Sequence, residues 1–321
     1  MMHALIAPLA LILERWQGYP PRLLDQIGHP VIWMGNLLTW LEQRLWKVGQ
    51  SAEQRRTRGI IALAALLGAT LVVTVMVQQM LRGIPLGWVL EILLATPFLA
   101  QKELGRAVQA VADALLTSLE AGREAVSHIV GRDPQQLDSA GVSRAAIETL
   151  AESTSDGVVA PWFWLVLLGL PGIALYKAIN TADSMIGHHN ARYADYGWAA
   201  ARLDDLVNLV PARLTAVLVT IASFFVSGAS PSKAWQAAKR DAMQHRSPNS
   251  GWPEASFAGA LGFSLGGPRS YDGEMVDLPI MGQGETRLGP YHITRALTLY
   301  RVTLNVLLVV SSVLALLILA A

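Results

Sequence analysis

The chain has 321 residues, of which 52% are hydrophobic and only 15% are charged. Because a soluble domain carries about 25% charged residues, this composition indicates a protein that lies partly in lipid. The formal net charge of +1 gives no reason to expect nucleic acid as a partner, and the absence of cysteine excludes disulfides, thiolate metal sites and a cysteine nucleophile.

The N-terminal third is dominated by apolar segments. The opening stretch, MMHALIAPLALILERW, lacks a basic start and a small-residue cleavage site, so we interpret it as a hydrophobic anchor or a short membrane-entering helix. Residues 60–80 and 84–102 are each close to the ~20 apolar residues that a spanning helix needs. Only three residues separate them, which predicts a helical hairpin over residues 60–100.

The middle of the chain alternates polar helices with interrupted apolar runs. Apolar residues recur at helical spacing in residues 101–150, and SRAAIETLAES predicts a further helix capped by Ser143. The apolar run 158–176 is broken by Gly-Leu-Pro-Gly, and the run 214–227 has only 14 residues. Runs of that length are more often re-entrant or buried than spanning.

Basic residues favour a cytoplasmic location for every large loop. Lys and Arg number seven in residues 14–59, four in 177–213 and eight in 229–302, and Arg82 alone falls in the turn of the hairpin. Since cytoplasmic loops carry such an excess, we expect the runs 158–176 and 214–227 to dip into the membrane and return. The alternative, that both span, would place 177–213 on the far side.

The predicted fold is therefore mostly α: an integral membrane helical protein with re-entrant or broken apolar segments and polar cytoplasmic loops. We expect one polytopic membrane domain over residues 1–321. It would comprise the hairpin 60–100, cytoplasmic helices in 101–157, an active-site region in 158–302 and a C-terminal transmembrane helix in 303–321.

Polar residues concentrate at four places, of which the first is GHPVIWMG (28–35). In the second, Glu148 and Glu152 are four residues apart on one helical face, and Asp156 follows where Ser-Asp-Gly predicts the end of the helix. A capped helix junction is the alternative interpretation of Asp156.

The third place, residues 176–214, has the most chemical character. Lys177, Asn180 and Asp183 are spaced three apart along one predicted helix face. Carboxylate and amide oxygens suit Mg²⁺, and Arg and Lys suit phosphate oxygens, so a mixture of both suits a magnesium-bound phosphate ligand. The alternative is a solvated, salt-bridged linker.

The fourth place is HRSPNSGWPEA (245–255), in which Pro248, Gly251 and Pro253 force a non-helical path. Loops that hold polar side chains on a fixed backbone often bind ligands. The seven histidines show no zinc-binding spacing, and no phosphate loop or dinucleotide-binding motif is present.

Together, GHPVIWMG, ESTSDGVVAPWFW, the stretch from YKAINTADSM to LVPARLTA, and RDAMQHRSPNSGWPEASFAGALGFSLGGP resemble the CobD/CbiB membrane proteins of cobalamin biosynthesis. The matching stretches run from about residue 28 to 270. The sequence departs from the family where many members read Gly-Asp-Pro and this chain has Gly18-Tyr19-Pro20, and Ser153 stands where Asn is common.

The resemblance implies an ATP-dependent, amide-forming ligase, adenosylcobinamide-phosphate synthase, which joins adenosylcobyric acid, a corrinoid, to (R)-1-aminopropan-2-ol O-phosphate. ATP and Mg²⁺ would be required, and the enzyme would lie in the bacterial cytoplasmic (inner) membrane. For this reaction we expect catalytic roles for Glu152, Asp156, Asp183 and Asp205, with Mg²⁺ held by Asp183, Asp204 and Asp205. Burial at the membrane edge would raise the pKa of Glu152 or Asp156 and make either a general base. The expected substrate and phosphate ligands are Lys177, Asn180, Arg192, Arg202, Arg240, Arg246, Asn249 and Trp252.

Two functions of other classes remain open from the sequence. Broken apolar segments with ionisable residues are also typical of transporters, so a corrinoid or small-molecule transporter is the first alternative. A non-catalytic regulatory membrane protein of the same fold is the second. The expected partners are the two substrates, membrane lipid and other enzymes of the cobalamin pathway.

Overall fold

The computed structural model describes residues 2–131, 134–188, 190–267, 269–271, 274–276 and 279–321. Within these residues the chain is mostly helical, as predicted, and its α-helices are α1 (Ile6–Gln17), α2 (Pro21–Ile27), α3 (Pro30–Leu45), α4 (Ala52–Arg82), α5 (Gly87–Ala95), α6 (Gln101–Thr117), α7 (Leu119–Ser127), α8 (Ser139–Thr154), α9 (Ala160–Ile186), α10 (Trp198–Ala222), α11 (Pro231–Asp241), α12 (Gly251–Leu261) and α13 (Pro290–Ala320).

Short elements complete the described chain. Two small antiparallel sheets pair β1 (Leu265–Gly266) with β4 (Ile280–Met281) and β2 (Arg269–Tyr271) with β3 (Glu274–Val276). The 3₁₀ turns are Met2–Leu5, Thr96–Phe98, Ser223–Phe225 and Ala242–Gln244, and one π-helical turn covers Ser155–Val159.

Helical segments long and apolar enough to cross a membrane confirm the predicted class of integral membrane protein. In the part of the chain that the structure describes there are four of them: Ala52–Arg82, Ser139–Ile186, Trp198–Phe225 and Pro290–Ala320. The first contains the predicted span at 60–80, and the last contains the predicted span 303–321 except its final residue. The C-terminal helix starts earlier than predicted, at Pro290.

The predicted hairpin at 60–100 has unequal arms. Helix α4 begins with a capping box, in which the Ser51 side chain accepts from the Gln54 backbone and Gln54 returns a bond to the Ser51 backbone. The second arm, α5, has nine residues and ends in the 3₁₀ turn that contains Pro97. At 1.5 Å per residue such a helix is about 14 Å long, so the expectation that residues 84–102 form a spanning helix is wrong.

The Gly-Leu-Pro-Gly segment folds α9 back on itself. Gly169 has φ 67° and ψ −152°, a left-handed conformation that favours glycine. A Cβ added at Gly172 would lie 2.3 Å from the carbonyl oxygen of Trp164, eight residues earlier. Eight residues of continuous helix would separate them by about 12 Å, so the chain reverses at this break, as the interrupted apolar run predicted.

Two predicted helix boundaries are wrong. The Ser-Asp-Gly segment at 155–157 does not end the helix, because a π turn carries it from α8 into α9. Ser143 does not cap α8: the Asp138 side chain accepts from the Gly141 backbone there, while Ser143 lies buried inside the helix and bonds the Ser139 carbonyl.

The run 214–227 is also not a separate short segment. It forms the C-terminal part of α10 and the 3₁₀ turn that follows. The same helix begins at Trp198 and includes the charged residues that precede the run.

The chain divides into two compact units: the first comprises Met1–Ala100, Ala160–Asn208 and Ser311–Ala321, and the second comprises Gln101–Val159 and Leu209–Val310. In the first unit, buried aliphatic residues such as Leu38, Leu66 and Ala182 pack α3, α4 and α9 together. In the second, α6, α7 and α8 pack on one another, α11 packs along α12, and α12 contacts α8.

Candidate functional site

The first unit holds a hydrogen-bonded chain of polar side chains between α9 and α10. Lys177 Nζ donates to Asn180 Oδ1 at 3.4 Å, and Asn180 Nδ2 donates to Asp204 Oδ1 at 3.5 Å. Asn208 Nδ2 donates to Asp204 Oδ2 at 3.0 Å, and Tyr176 supplies its hydroxyl hydrogen to Asn208 Oδ1 at 2.9 Å. The two amides fix the orientation of the Asp204 carboxylate.

This arrangement follows from helical spacing. Tyr176 and Asn180 are four residues apart on α9, as are Asp204 and Asn208 on α10, so each pair occupies one helix face. The predicted face carrying Lys177 and Asn180 is therefore brought to Asp204. We call Lys177, Asn180, Asp183, Asp204 and Asn208 the carboxylate–amide cluster.

Further carboxylates surround Asp204. Asp183 and Asp205 both lie within electrostatic reach of it, and Asp183 belongs to the last turn of α9. A carboxylate is disfavoured at a helix C-terminus, where the helix dipole is negative. A bound cation would offset this repulsion.

The carboxylates of this cluster fit Mg²⁺ only if a phosphate ligand and water supply the remaining coordination. In the described residues, no group of three or more His, Asp or Glu side chains is arranged to hold a metal ion. Mg²⁺, however, is commonly bound by one or two carboxylates together with substrate phosphates and water. Asp183 and Asp204 fit that mode, in which the phosphates complete the coordination.

The motif GHPVIWMG supplies a neighbour that the sequence did not connect to this cluster. His29 caps α3, because its Nδ1 accepts from the Val31 backbone at 3.2 Å. Burial lowers the pKa of His29 below 6.5, and the nearby charge of Lys177 lowers it further, while a hydrogen bond with the Pro97 carbonyl opposes the shift. His29 is thus a neutral ring close to the Lys177 ammonium.

Tyr19 stands in the Gly-Tyr-Pro segment that departs from the family pattern. Its hydroxyl donates to the Gly28 carbonyl at 2.6 Å, and its ring meets the His29 ring edge-on with centroids 4.5 Å apart. Tyr19 therefore holds the turn that positions His29. Sequence analysis missed this role, because only the contact across the turn reveals it.

Two arginines predicted to hold phosphate have other surroundings. Arg192 donates from Nη2 and Nε to Glu42 Oε1 at 2.7 and 3.1 Å, and Tyr193 donates to the same oxygen at 3.0 Å. These bonds tie the loop after α9 to α3. Arg202 is exposed on α10 and lies two residues before Asp204, and residues at that spacing do not share a helix face. The described contacts do not bring either arginine to the cluster.

The second unit joins the second and fourth predicted polar places. Glu152 Oε1 accepts from the Ser250 hydroxyl at 2.8 Å. One turn earlier on α8, Glu148 Oε1 accepts from the Gly266 backbone at 2.6 Å and is buried. We call these four residues together with Trp252 the α8 cluster.

The loop before α12 carries Asn249 and is held by its own hydrogen bonds. The Ser247 backbone donates to His245 Nδ1 at 3.0 Å, and the Asn249 and Ser250 backbones donate to the Ser247 hydroxyl.

Trp252 and Pro253 lie in the first turn of α12, so the predicted non-helical path through Gly251 and Pro253 is wrong, because proline is tolerated in the first turn of a helix. The indole nitrogen of Trp252 is buried and has no acceptor among the described residues. A buried donor without an acceptor is unfavourable, so this group is suited to a ligand oxygen.

Arg213 is a residue that sequence analysis did not select. Its guanidinium lies 4.9 Å from the centroid of the Trp252 ring, within the range of a cation–π contact. The predicted phosphate ligand Arg240 instead gives its fork to Asp241, at 2.6 Å from both Nε and Nη2, and Arg246 is exposed in the loop. Asp241 in turn accepts from the Gly282 backbone at 2.8 Å.

The proposed bases differ in exposure. Glu152 is exposed, so the burial on which its predicted role as a base depends is not found there. Asp156 is half-buried within the π turn. Turns of this kind are frequent at functional sites.

Comparisons with known proteins identify relatives along nearly the whole chain. A family model described as CobD/Cbib protein matches residues 7–300. The chain is similar to three proteins named Cobalamin biosynthesis protein CobD. It is 46% identical to that of Brucella anthropi over 307 residues and 46% identical to that of Rhodobacter capsulatus over 305 residues, and each match covers 94% of both chains. It is 47% identical to that of Rhizobium meliloti over 280 residues, which cover 86% of both chains. No solved structure matches.

Proposed function

The chain belongs to the CobD/CbiB family of cobalamin biosynthesis proteins, and on that premise we propose that it is adenosylcobinamide-phosphate synthase. It would join adenosylcobyric acid to (R)-1-aminopropan-2-ol O-phosphate by an amide bond while ATP is converted to ADP and phosphate. The observation that carries the proposal is the Asp204 carboxylate, oriented by two amides beside Lys177 and Asp183.

The chemistry explains why ATP is needed. A carboxylate does not condense with an amine at neutral pH, because hydroxide is a poor leaving group. In the proposed route a carboxylate oxygen of the corrinoid attacks the γ-phosphorus of ATP, which releases ADP and leaves an acyl phosphate. The amine nitrogen then attacks the acyl carbon, loses a proton and expels inorganic phosphate.

We assign the carboxylate–amide cluster to the nucleotide phosphates. Phosphoryl transfer depends mostly on positioning and on stabilising charge at the phosphate oxygens. The Lys177 ammonium is a compact positive charge that would contact such oxygens, and its bond to Asn180 keeps it oriented. Asp183 and Asp204, with Asp205 beside them, would hold Mg²⁺, which would neutralise phosphate charge when bound.

We assign the α8 cluster to the amine step and to corrinoid binding. The amine must lose a proton, for which Glu152 and Asp156 are the proposed acceptors and Glu148 is a buried neighbour. Trp252 offers a ligand oxygen its indole N–H, which has no acceptor in the described part of the chain. Arg246 and Asn249 lie in the loop just before α12 and would contact the aminopropanol phosphate. The sequence also predicted three other arginines as phosphate ligands. We assign none of them to either cluster, because no described contact brings them to one: Arg192, Arg202 and Arg240.

The proposal includes a location. The protein would lie in the bacterial cytoplasmic membrane with its polar clusters on the cytoplasmic side, where ATP and both substrates are found. The basic composition of the loops supports this orientation.

The experiment that tests the function uses purified protein in detergent. Adenosylcobyric acid, aminopropanol phosphate, ATP and Mg²⁺ are added, and the corrinoid is weighed by mass spectrometry. We expect the mass of the amide product, and none when ATP or the amine is omitted. An unchanged corrinoid mass with folded protein would contradict the proposal, and uptake of intact corrinoid into sealed vesicles would then favour a transporter.

A further inference from the structure

An exposed surface of the first unit brings arginine onto tryptophan where α4 and α10 begin. The guanidinium carbon of Arg56 lies 3.4 Å from the centroid of the Trp198 ring. At this distance the guanidinium lies nearly flat on the ring, because van der Waals contact leaves no room for a tilted group. Its five N–H donors lie in its own plane, so they point sideways from the ring and can reach an acceptor beside it.

Arg202 continues this surface along α10. It follows Trp198 by four residues, so the two side chains share one helix face, about 6 Å apart along the axis. Asp204, in the carboxylate–amide cluster, lies on a different face of the helix. Both Arg56 and Arg202 are exposed, and within the described residues neither has an ion pair or a hydrogen bond with an acidic side chain. Two positive charges therefore lie beside the tryptophan.

Contacts behind the surface hold the two helix starts together. Arg55 Nε donates to Asp195 Oδ2 at 3.0 Å, which ties the first turn of α4 to the segment before α10. Gly59 packs directly against the Tyr196 carbonyl, where a side chain would not fit. The position of Arg56 relative to α10 is thus set by the fold and does not require a ligand.

An aliphatic residue extends the surface by one turn on each helix. Ile60 follows Arg56 by four residues and is 45% exposed, and Leu206 follows Arg202 by four and is 62% exposed. Ile60 also begins the apolar run of α4, one of the helices that can cross a membrane. Each arginine lies about 6 Å before its aliphatic neighbour along the helix. A phospholipid has the same order of phosphate and acyl chain, and tryptophan is enriched at this interface.

We call these five residues the Trp198 surface: Arg56, Ile60, Trp198, Arg202 and Leu206. We propose that it binds an anionic phospholipid such as phosphatidylglycerol, with the phosphate on its two arginines and an acyl chain along its two aliphatic residues. Basic residues beside a spanning helix attract anionic lipids, each by roughly a factor of five in affinity.

Charge and shape favour this occupant over others. A zwitterionic lipid would bring an ammonium group to the two guanidinium groups, which repel it. A soluble phosphate would leave the aliphatic half of the surface unused. The inference does not depend on the proposed ligase activity, and it gives Arg202 a partner other than the substrate phosphate that the sequence predicted.

The test is native mass spectrometry of the full-length protein in detergent, without ATP or corrinoid. Equal amounts of dioleoyl phosphatidylglycerol, phosphatidylcholine and phosphatidylethanolamine are added, which have the same acyl chains and differ in headgroup charge. We expect a preference of roughly 25-fold for phosphatidylglycerol over the other two, a factor of about five from each arginine. Equal binding of the three lipids would overturn the inference.

Variants assign the preference to this surface. Arg56→Gln and Arg202→Gln should each lower it roughly fivefold, and the double variant should bind the three lipids about equally. Arg106→Gln removes an exposed arginine of α6 that pairs with Glu103, and this matched control should keep the preference of the parent protein. Arg202→Lys keeps the charge and should keep most of the preference, which separates loss of charge from loss of fold. A preference that survives in the double variant would overturn the inference.

A soluble competitor separates the lipid from a free phosphate. Glycerol 1-phosphate in large excess should leave phosphatidylglycerol bound, because it has the phosphate but no acyl chain. Displacement of the lipid would assign the arginines to a soluble phosphate and would also overturn the inference. None of these results bears on amide formation, which is measured separately.

Discussion

Among single residues, Asp204 has the most defined surroundings, since amides of α9 and α10 each donate to one of its carboxylate oxygens. Replacing Asp204 by Asn keeps the shape and removes the charge. We expect Asp204→Asn to lower kcat for amide formation by about 100-fold, because electrostatic stabilisation of the transferring phosphate is lost. Steady-state kinetics with the purified variant provide the measurement.

The matched control for this change is Asp113→Asn, an exposed carboxylate on α6 that accepts from Gln109. It should leave kcat within a factor of two while both variants accumulate to normal levels. Full activity of Asp204→Asn would remove Asp204 from the site. The same assay with Asp183→Asn tests the second proposed magnesium ligand.

A substitution at Trp252 should weaken substrate binding without lowering the stability of the protein. Trp252→Phe keeps an aromatic ring beside Arg213 but removes the buried indole N–H, for which the described residues provide no acceptor. Removing an unsatisfied buried donor should leave the free energy of unfolding unchanged or raise it by about 1 kcal/mol. If the group donates to a substrate oxygen, KM for the corrinoid should rise roughly tenfold. An unchanged KM would show that the indole N–H does not contact this substrate.

His29 makes stability depend on pH. Its pKa in the folded protein is lowered below 6.5 by burial and by Lys177. The unfolded chain therefore takes up a proton first as the pH falls below about 6.5, and stability declines until the lower folded-state pKa is reached. The melting temperature in detergent should fall between pH 7.5 and pH 5.5.

The variant His29→Asn isolates this effect, because asparagine also caps helices but does not titrate. We expect the decline of the melting temperature to be smaller in His29→Asn than in the parent protein. Identical pH profiles would mean that other groups cause the acid sensitivity.

At the level of elements, the break in α9 requires glycine at one position. Gly169→Ala would force a Cβ into the left-handed region and against Gln78, so we expect a loss of stability of roughly 1–3 kcal/mol. Gly68→Ala in α4 is the control, since a Cβ there meets nothing within 4 Å and should be neutral or slightly stabilising. Thermal melting in detergent compares the two, and equal melting temperatures would contradict the strained turn.

Periodicity and turn residues predicted α4, the helical stretch after residue 101, the C-terminal helix and the reversal at Gly169, because apolar repeats and Gly-Pro breaks act locally. They did not predict the π turn at 155–159 or the true length of α10. In the first place Ser-Asp-Gly resembled a helix end, and in the second the charged residues before 214 resembled a linker. The prediction that Arg240 holds phosphate stays a prediction, and the structure adds that its guanidinium bonds the neighbouring Asp241.

The sequence predicted the pairs within each polar cluster that lie on one helix, but not the contacts between helices. Spacing on one helix placed Lys177 beside Asn180 and Glu148 above Glu152, because residues three or four apart share a helix face. The contacts of Asn180 with Asp204 and of Glu152 with Ser250 join residues 24 and 98 positions apart. Such pairings depend on how helices pack and no local pattern determines them.

At the level of the whole molecule, orientation in the membrane is testable because the chain has no cysteine. Single-cysteine variants Ser51→Cys and Ile84→Cys place thiols just before and just after α4. The excess of basic residues before α4 predicts that residue 51 is cytoplasmic and residue 84 is outside. A membrane-impermeant maleimide applied to intact cells should label Ile84→Cys only, and both variants should be labelled after lysis. Labelling of Ser51→Cys in intact cells would reverse the orientation.

The central claim is that this membrane protein activates a corrinoid carboxylate with ATP before forming the amide. The most direct test uses adenosylcobyric acid labelled with ¹⁸O in its free carboxylate, and follows amide, ADP and inorganic phosphate together by mass spectrometry. We expect one ADP and one ¹⁸O-bearing phosphate for each amide formed. Amide formation without ATP consumption, or phosphate that carries no ¹⁸O, would contradict the account.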